Sequence, residues 1–516
     1  MKRSRLVSEK AMARMLQSAG ECWRRGEIDE YFALMENARR SDPGNHAILL
    51  DLGAAHGARY DYAKAEECFE RAAALAPGKS EALAMAGLHC RNFNRHEMAE
   101  RYFERAAEQK GASADTFAKL AELHERLRRL DAAGKAVDRA LALDPSSALA
   151  LLVRARLDRS AGKLEEAEKV VRSFLARTDA QSWSTRIRGW YELGAILDKQ
   201  GRYDEAMAAF VQGKALIQPN AVKYIAAQRS VHIRLKEATA NISADVLRRW
   251  REAGAALGPP RRLALLGGHP RSGTTLLEQV LDSHPQVVSA EETAIFFETY
   301  LSLKRGFQPN ALMFSVLDSA TPAALRQARE SYFRSVEMFL GEPVGDRLLV
   351  DKNPSLTGLV PGLVRVLPEA KFLVALRDPR DVCLSCFMQP LPLNEVSSIF
   401  LTLDGAADEY VSLMGFWRAM SPRLTNPHLE VRYEDLVNDL GSISRMVLEF
   451  LGLPWDERVM KFDEHARQKL VRSPTYAEVA RPISKGAVGR WRNYQKYLEP
   501  SLQKLEPFVK AFDYEQ

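Results

Sequence analysis

The chain has 516 residues, of which 46% are apolar, 27% charged and 8% aromatic, the composition of an ordinary globular protein with length for about two to four domains. Disordered, collagen-like and disulfide-scaffold classes are thereby excluded. Lys and Arg number 73 against 67 Asp and Glu, and the net charge of +6 is too thin an excess to indicate nucleic acid, though it suits local anion pockets. In chain order, the N-terminus MKRSRLVSEKAMARMLQSAGE starts basic like a leader, but Ser8, Glu9 and Lys10 interrupt any apolar core. No later stretch approaches the roughly 18 uncharged apolar residues of a membrane span. Five sparsely placed cysteines make no disulfide framework. The expectation is a soluble, cytoplasmic protein.

Residues 1–219 carry an internal repeat. Pro43, Pro77 and Pro145 are spaced 34 and 68 residues apart, and Gly111 fills the missing step. Gly53, Gly87 and Ala121 recur in phase, as do Ala65, Ala99 and Ala133, then Ala72, Ala106 and Ala140. Phe69, Phe103 and Val137 keep the same register. Each unit reads as two short antiparallel helices, with small residues at the close crossing and a large one in the core. Pro or Gly ends the second helix. This pattern resembles a tetratricopeptide-repeat array, which implies a helical solenoid with a concave surface for peptides or partners. Further units carry Ala155 and Ala167, then Trp190, Leu193, Gly194, Ala206 and Phe210. The first, around residues 10–43, keeps only Ala38 and Pro43 and reads as a worn cap.

Residues 220–257 read as a helical cap and connector, broken by Gly258-Pro259-Pro260. From 258 to 516 short apolar runs alternate with amphipathic stretches. LALLGG, RLLVDKN, KFLVALRD and HLEVRYEDL read as strands; TLLEQVLDSH, SLTGLVPGLVRVL and ISRMVLEFLG read as helices. Such alternation predicts an α/β domain with a central parallel sheet.

The segment Leu263–His284 places a strand, a loop with Gly267, Gly268, Pro270 and Gly273, and then a helix opening at Thr274 or Thr275. Loop N–H groups and a helix N-terminus together make an anion cradle. The spacing copies the phosphate loop G-x-x-x-x-G-K-[ST], with Thr274 where the lysine stands. That lysine serves the β- and γ-phosphates of a nucleoside triphosphate, so its absence argues against an NTPase or kinase, while Arg271 supplies a different cation.

The string PRSGTT, followed by a helix and EET at 291–293, resembles the sulfotransferase superfamily, nearest its tyrosylprotein-sulfotransferase-like and bacterial branch. The resemblance covers the chain from about Leu263 onward. It implies transfer of a sulfuryl group from PAPS (3′-phosphoadenosine 5′-phosphosulfate) to an acceptor, with adenosine 3′,5′-bisphosphate as product and no metal. The loop would bind the 5′-phosphosulfate through Gly268, Arg271, Ser272, Gly273, Thr274 and Thr275. Arg377, ending a strand, and Ser385, eight residues on, match the family's 3′-phosphate motif; a cation and a hydroxyl so spaced can share one phosphate. Lys485 and Gly486 resemble the family's loop over that phosphate, with Ser484 replacing its arginine and Arg490 or Arg492 as substitutes. Tyr433 matches a position near the nucleotide and equally suits a strand-end core tyrosine.

In-line sulfuryl transfer needs a base at the acceptor and cations at the leaving oxygen. Glu292 matches the family's carboxylate base; Glu291, His269 and His284 are its rivals. Lys352 matches the catalytic lysine, and Arg271 would share the leaving-group charge. Cys383-x-x-Cys386 has redox or zinc spacing without a second pair, and Asp351 is read as orienting Lys352 rather than as a metal ligand. The chain therefore reads as a repeat array fused to a PAPS-dependent sulfotransferase. The competing readings are a P-loop NTPase or kinase and a repeat scaffold with an inactive nucleotide fold. The acceptor is left open among tyrosine, carbohydrate and small metabolites, with the repeats serving a protein acceptor or a homodimer.

Overall fold

The structure is a computed structural model that describes residues 9–177, 183–308, 310–391, 393–467 and 476–515. The chain divides into two compact units, Met1–Leu157 and Asp158–Gln516.

The first unit is built of helix pairs: Glu9–Arg25 with Ile28–Ser41, His46–Ala58 with Tyr62–Leu75, Lys79–Asn92 with His96–Ala107, and Ala114–Arg126 with Leu130–Leu143. The in-phase glycines have a steric cause. A Cβ on Gly53 would lie 2.4 Å from the Phe69 ring, and one on Gly87 would lie 3.0 Å from Phe103. Where the phenylalanine shrinks to Val137 the glycine grows to Ala121, and both are fully buried, so volume is conserved across the crossing. Asn45, Asp61 and Ser113 start their helices by accepting backbone N–H bonds. The first pair, for which the sequence keeps only Ala38 and Pro43, forms the same kind of unit and buries Tyr31 and Met35 beside Trp23.

The second unit begins with helical repeats, continues through the sheet and ends in helices. Gly194 packs on Phe210, with a built Cβ 2.5 Å from the ring, so the same exchange of small against large persists between helices Trp183–Lys199 and Tyr203–Asn241. Helix Tyr203–Asn241 runs for 39 residues and passes through Pro219, so the last repeat and the start of the 220–257 segment are one helix. Its C-terminal half packs on helix Leu403–Met420, where buried Glu409 accepts from Gln228 and meets His232.

Five parallel strands make the sheet in the order β2-β3-β1-β4-β5. They are β1 (Leu263–Gly268), β2 (Val287–Glu291), β3 (Leu348–Lys352), β4 (Lys371–Leu376) and β5 (His428–Arg432). The apolar runs behave as strands covered on both faces: β1 and β3 are buried at every position, β4 at all but its first. The edge strand β2 is additional to the four expected from the sequence, and it carries EET to the sheet's carboxyl edge. Asp351 does not orient Lys352. Successive residues point to opposite faces, and Asp351 accepts instead from the Tyr332 hydroxyl at 2.7 Å. Burial pushes its carboxyl up to about 6, although the Tyr332 bond opposes the shift.

Candidate active site

The connections leave β1 and β4 in opposite directions along the sheet, and the crevice at the carboxyl ends of such neighbours is where ligands bind in open α/β sheets. Gly268 ends β1 at φ 134°, and a Cβ there would meet the Ala375 carbonyl of β4 at 2.5 Å. Only glycine fits. The Thr357 hydroxyl braces the turn, accepting from the Gly268 N–H at 2.7 Å and donating to its carbonyl at 2.9 Å. Gly273, at φ 91°, lies against the Tyr433 ring. Ser272, Thr274 and Thr275 are buried around the N-terminus of helix Thr274–Asp282.

Arg271 holds a left-handed backbone at φ 74°, a conformation that costs a side-chain-bearing residue about 1–2 kcal/mol. Its neighbours over-determine it. Its Nε donates to the Ser385 hydroxyl at 3.0 Å, and its carbonyl accepts from Arg377 Nη1 at 3.2 Å. The residues expected at the two ends of the nucleotide are thus joined directly. Arg377 sits 4.9 Å from the Tyr433 ring centroid, and its buried Nε has no partner among the described residues. Among the described residues Arg271 has no carboxylate in ion-pair range, whereas Arg377 lies 3.9 Å from Asp381; burial pulls the Arg271 guanidinium below the ordinary arginine value.

On the other side of β1, Lys352 ends β3 with 0% exposure. Its Nζ is 2.9 Å from Glu292, 3.4 Å from Glu291 and 3.5 Å from Glu278. Burial works against the ammonium, but the three carboxylates outweigh it and hold its pKa above the ordinary lysine value. Register places Glu291 opposite Lys352 inside the sheet edge, with 4% exposure. Glu292 leaves the strand at φ 48°, its N–H donating to the Lys352 carbonyl at 2.7 Å, and its side chain stays 36% exposed. The histidines are turned elsewhere. His284 bonds the Pro454 carbonyl and the Gln286 N–H, while His269 is fully buried between Phe400 and Tyr410.

Lys485 and Gly486 lie exposed on the segment facing Arg377, whose Nη2 donates to the Ala487 carbonyl at 2.5 Å. Arg490 is paired with Asp198 at 2.7 Å and Arg492 lies 3.8 Å from Glu515. Cys383 and Cys386 are buried free thiols whose pKa values burial raises, Cys386 to about 12. Among the described residues, one group has metal-ligand geometry: Glu100, Glu104 and His124 in the first unit, where Arg129 already pairs with Glu100.

Sequence reasoning missed Glu278, Thr357 and Asp381. Glu278 is fully buried and accepts from Ser289; a lone acid within the apolar run TLLEQVL was its available signal. Asp381 accepts from the Gly489 and Trp491 N–H groups at 2.7 and 2.8 Å.

A phosphate-type loop at the carboxyl edge of a parallel sheet, with arginines and a carboxylate–lysine cluster around it, is suited to hold an anionic ligand. Residues 264–457 match the sulfotransferase family, and residues 50–115, 118–182 and 187–217 match tetratricopeptide repeats. The chain is thus similar to tetratricopeptide repeats in its first part and to the sulfotransferase family in its second. An uncharacterized protein of Aquifex aeolicus (strain VF5) is 25% identical over 339 residues, 64% of this chain and 42% of that protein. Protein-tyrosine sulfotransferase 1 of Danio rerio is 28% identical over 246 residues, 44% of this chain and 65% of that protein. The chain spans less than two thirds of the length of these curated relatives. Among solved structures, the sulfotransferase domain from the Synechococcus PCC 7002 olefin synthase aligns at 21% identity and TM-score 0.34, covering 50% of this chain and 96% of that one. No helix among the described residues is long and apolar enough to cross a membrane.

Proposed function

We propose that the protein is a PAPS-dependent sulfotransferase that moves a sulfuryl group to a hydroxyl acceptor. The observation that carries this reading is the pair of inward arginines. Among the described residues Arg271 has no carboxylate in ion-pair range, and Arg377, 3.9 Å from Asp381, keeps a buried Nε without a hydrogen-bond partner. A desolvated guanidinium short of counter-charge is costly, and a donor with anionic groups at both ends supplies a counter-ion to Arg271 and a further acceptor to Arg377.

When bound, the donor supplies the sulfuryl group and the phosphate oxygen it departs from. Arg271 with Ser272, Gly273, Thr274 and Thr275 would hold the 5′-phosphosulfate, beside Gly268. Arg377, Ser385, Lys485 and Gly486 would hold the 3′-phosphate, and Tyr433 the nucleotide wall. Glu292, the solvent-facing member of the carboxylate cluster, takes the proton from the acceptor hydroxyl. Lys352 fixes Glu292 in place and, with Arg271, brings positive charge to the leaving oxygen. No metal enters the scheme. The relatives named protein-tyrosine sulfotransferases favour a peptide or protein tyrosine as acceptor, with the repeats binding that acceptor or pairing two chains. Five free cysteines suit a reducing compartment, the cytoplasm.

Calorimetric titration tests the donor assignment. Adenosine 3′,5′-bisphosphate is expected to bind at least about tenfold more tightly than adenosine 5′-monophosphate, since each charge-assisted contact to the extra phosphate contributes about 1.5–3 kcal/mol. Equal affinities would sink the assignment. A screen of tyrosine peptides, sugars and metabolites with labelled PAPS then identifies the acceptor.

A further inference from the structure

The segment that presents Lys485 and Gly486 is held from three directions. Arg377 holds the Ala487 carbonyl, and Asp381 accepts from the Gly489 and Trp491 N–H groups. The third hold comes from the repeats. Asp198, in the last turn of helix Trp183–Lys199, pairs with Arg490 at 2.7 Å and accepts from the Tyr494 hydroxyl at 2.6 Å. Tyr494 is fully buried and meets Tyr203 edge to face. Burial opposes the Arg490 charge, but Asp198 outweighs it and raises the guanidinium pKa.

Asp198 is poorly placed for its own helix. A carboxylate in a last turn faces the negative end of the helix dipole and costs stability there. Its compensation lies outside the helix, in Arg490 and Tyr494. Both of its oxygens are used, and the side chain is only 16% exposed, so water screens the pair weakly.

We propose that Asp198 is a positioning residue for the 3′-phosphate half of the donor site, so that the last tetratricopeptide repeat completes that site. This rests on the donor reading given above. Asp198 touches no reacting atom; it fixes Arg490 and Tyr494, and through them the backbone that carries Lys485. Two consequences follow. Loss of Asp198 weakens ligands that bear a 3′-phosphate more than those that lack one. By reciprocity, donor binding tightens the last repeat's hold on residues 490–494, and a partner that shifts that repeat changes donor affinity by the same factor.

The test uses the full-length protein with Asp198→Asn, Asp198→Glu, Arg490→Gln and the Asp198→Asn/Arg490→Gln double variant. Calorimetry reads affinities for adenosine 3′,5′-bisphosphate and adenosine 5′-monophosphate; hydrogen exchange reads residues 484–494 without nucleotide. Asp198→Asn is expected to weaken the bisphosphate about fivefold or more, the lower range of coupling between sites. The monophosphate should change less than about twofold, within the noise of ordinary surface substitutions. Exchange at 484–494 should rise, Asp198→Glu should recover most of both effects, and the double variant should cost no more than the worse single one. Unchanged bisphosphate affinity with unchanged exchange overturns the proposal. So does equal weakening of both nucleotides, which marks general destabilisation. Should Asp198→Asn fail to fold, Tyr494→Phe removes one of the two holds and is read the same way. Failure of the donor reading shows separately, in wild-type protein that does not distinguish the two nucleotides.

Discussion

Replacing Lys352 by Met tests the electrostatics of the site without any substrate. The ammonium is the shared partner of three carboxylates at 2.9, 3.4 and 3.5 Å, and two of them, Glu278 and Glu291, are buried. Methionine fills similar space but leaves those charges uncompensated, a loss that costs about 3–5 kcal/mol. At roughly 2 °C per kcal/mol for a unit of this length, the melting temperature should fall by about 6–10 °C. The pH dependence has a sign. In the wild type the raised pKa of Lys352 means its stabilisation is complete below the unfolded value of about 10.4 and is lost only above the folded one, so neutral pH leaves it intact. In the variant, the buried carboxylates gain stability by taking up protons. Their contribution is present at acid pH and is lost as pH rises, so the deficit should be smaller at pH 5 than at pH 8. Circular-dichroism melts of both proteins at the two pH values measure this. A variant that melts with the wild type at pH 8, or a deficit that does not shrink at pH 5, would refute the charge balance drawn here.

Other outcomes follow from the same structure. Glu292→Gln should keep nucleotide affinity while turnover falls by roughly 10²–10⁴-fold, the usual contribution of a general base; a fully active variant places the base elsewhere and makes Glu291→Gln the next measurement. Asp351, raised to about 6 by burial, is stabilising in its neutral form below its unfolded value of about 3.9, and that contribution is lost as pH rises through 6. Asp351→Asn should therefore gain about 2 kcal/mol on the wild type between pH 4 and 7 in urea titrations, and a constant difference would contradict it. A fragment of residues 158–516 should fold cooperatively and bind the bisphosphate, whereas one starting near residue 255 lacks Asp198 and the helix bearing Gln228 and should melt lower; equal melting curves would count against an integral role for the last repeat.

The loop at 268–275 was legible because strand, glycine turn and helix follow one another within a short stretch, and Arg377 and Ser385 because one strand and one helix carry both. β2 was harder to see. It is a five-residue edge strand, and VVSAE has little apolar signal of its own. Glu278 sits where an amphipathic helix would show a solvent-facing acid, and only the fold reveals that its outward direction is Lys352. Glu291 and Glu292 are adjacent in sequence with identical chemistry; the φ of 48° at Glu292 separates a buried carboxylate from an exposed one, and backbone reversals of that kind carry no residue signature. Asp198 lies 292 residues before its partner Arg490, beyond the reach of any local pattern. The repeat array was the reverse case, since its exchange of Gly for Phe is written at fixed spacing.

Helix Tyr203–Asn241 imposes a phase on the fusion. Its buried positions include Phe210, Gln228 and Leu235. At 3.6 residues per turn, 210 and 228 are five whole turns apart, and 235 follows about two turns later. One stripe therefore faces the repeat partner at one end and Glu409 at the other. Adding or removing a single residue anywhere between them turns the far half by about 100°, which swings Gln228 and Leu235 into solvent and breaks the bond to Glu409. Foreign repeats grafted onto the sheet domain would have to keep step, and length changes near 7, 11 or 18 residues hold the phase to within about 20°.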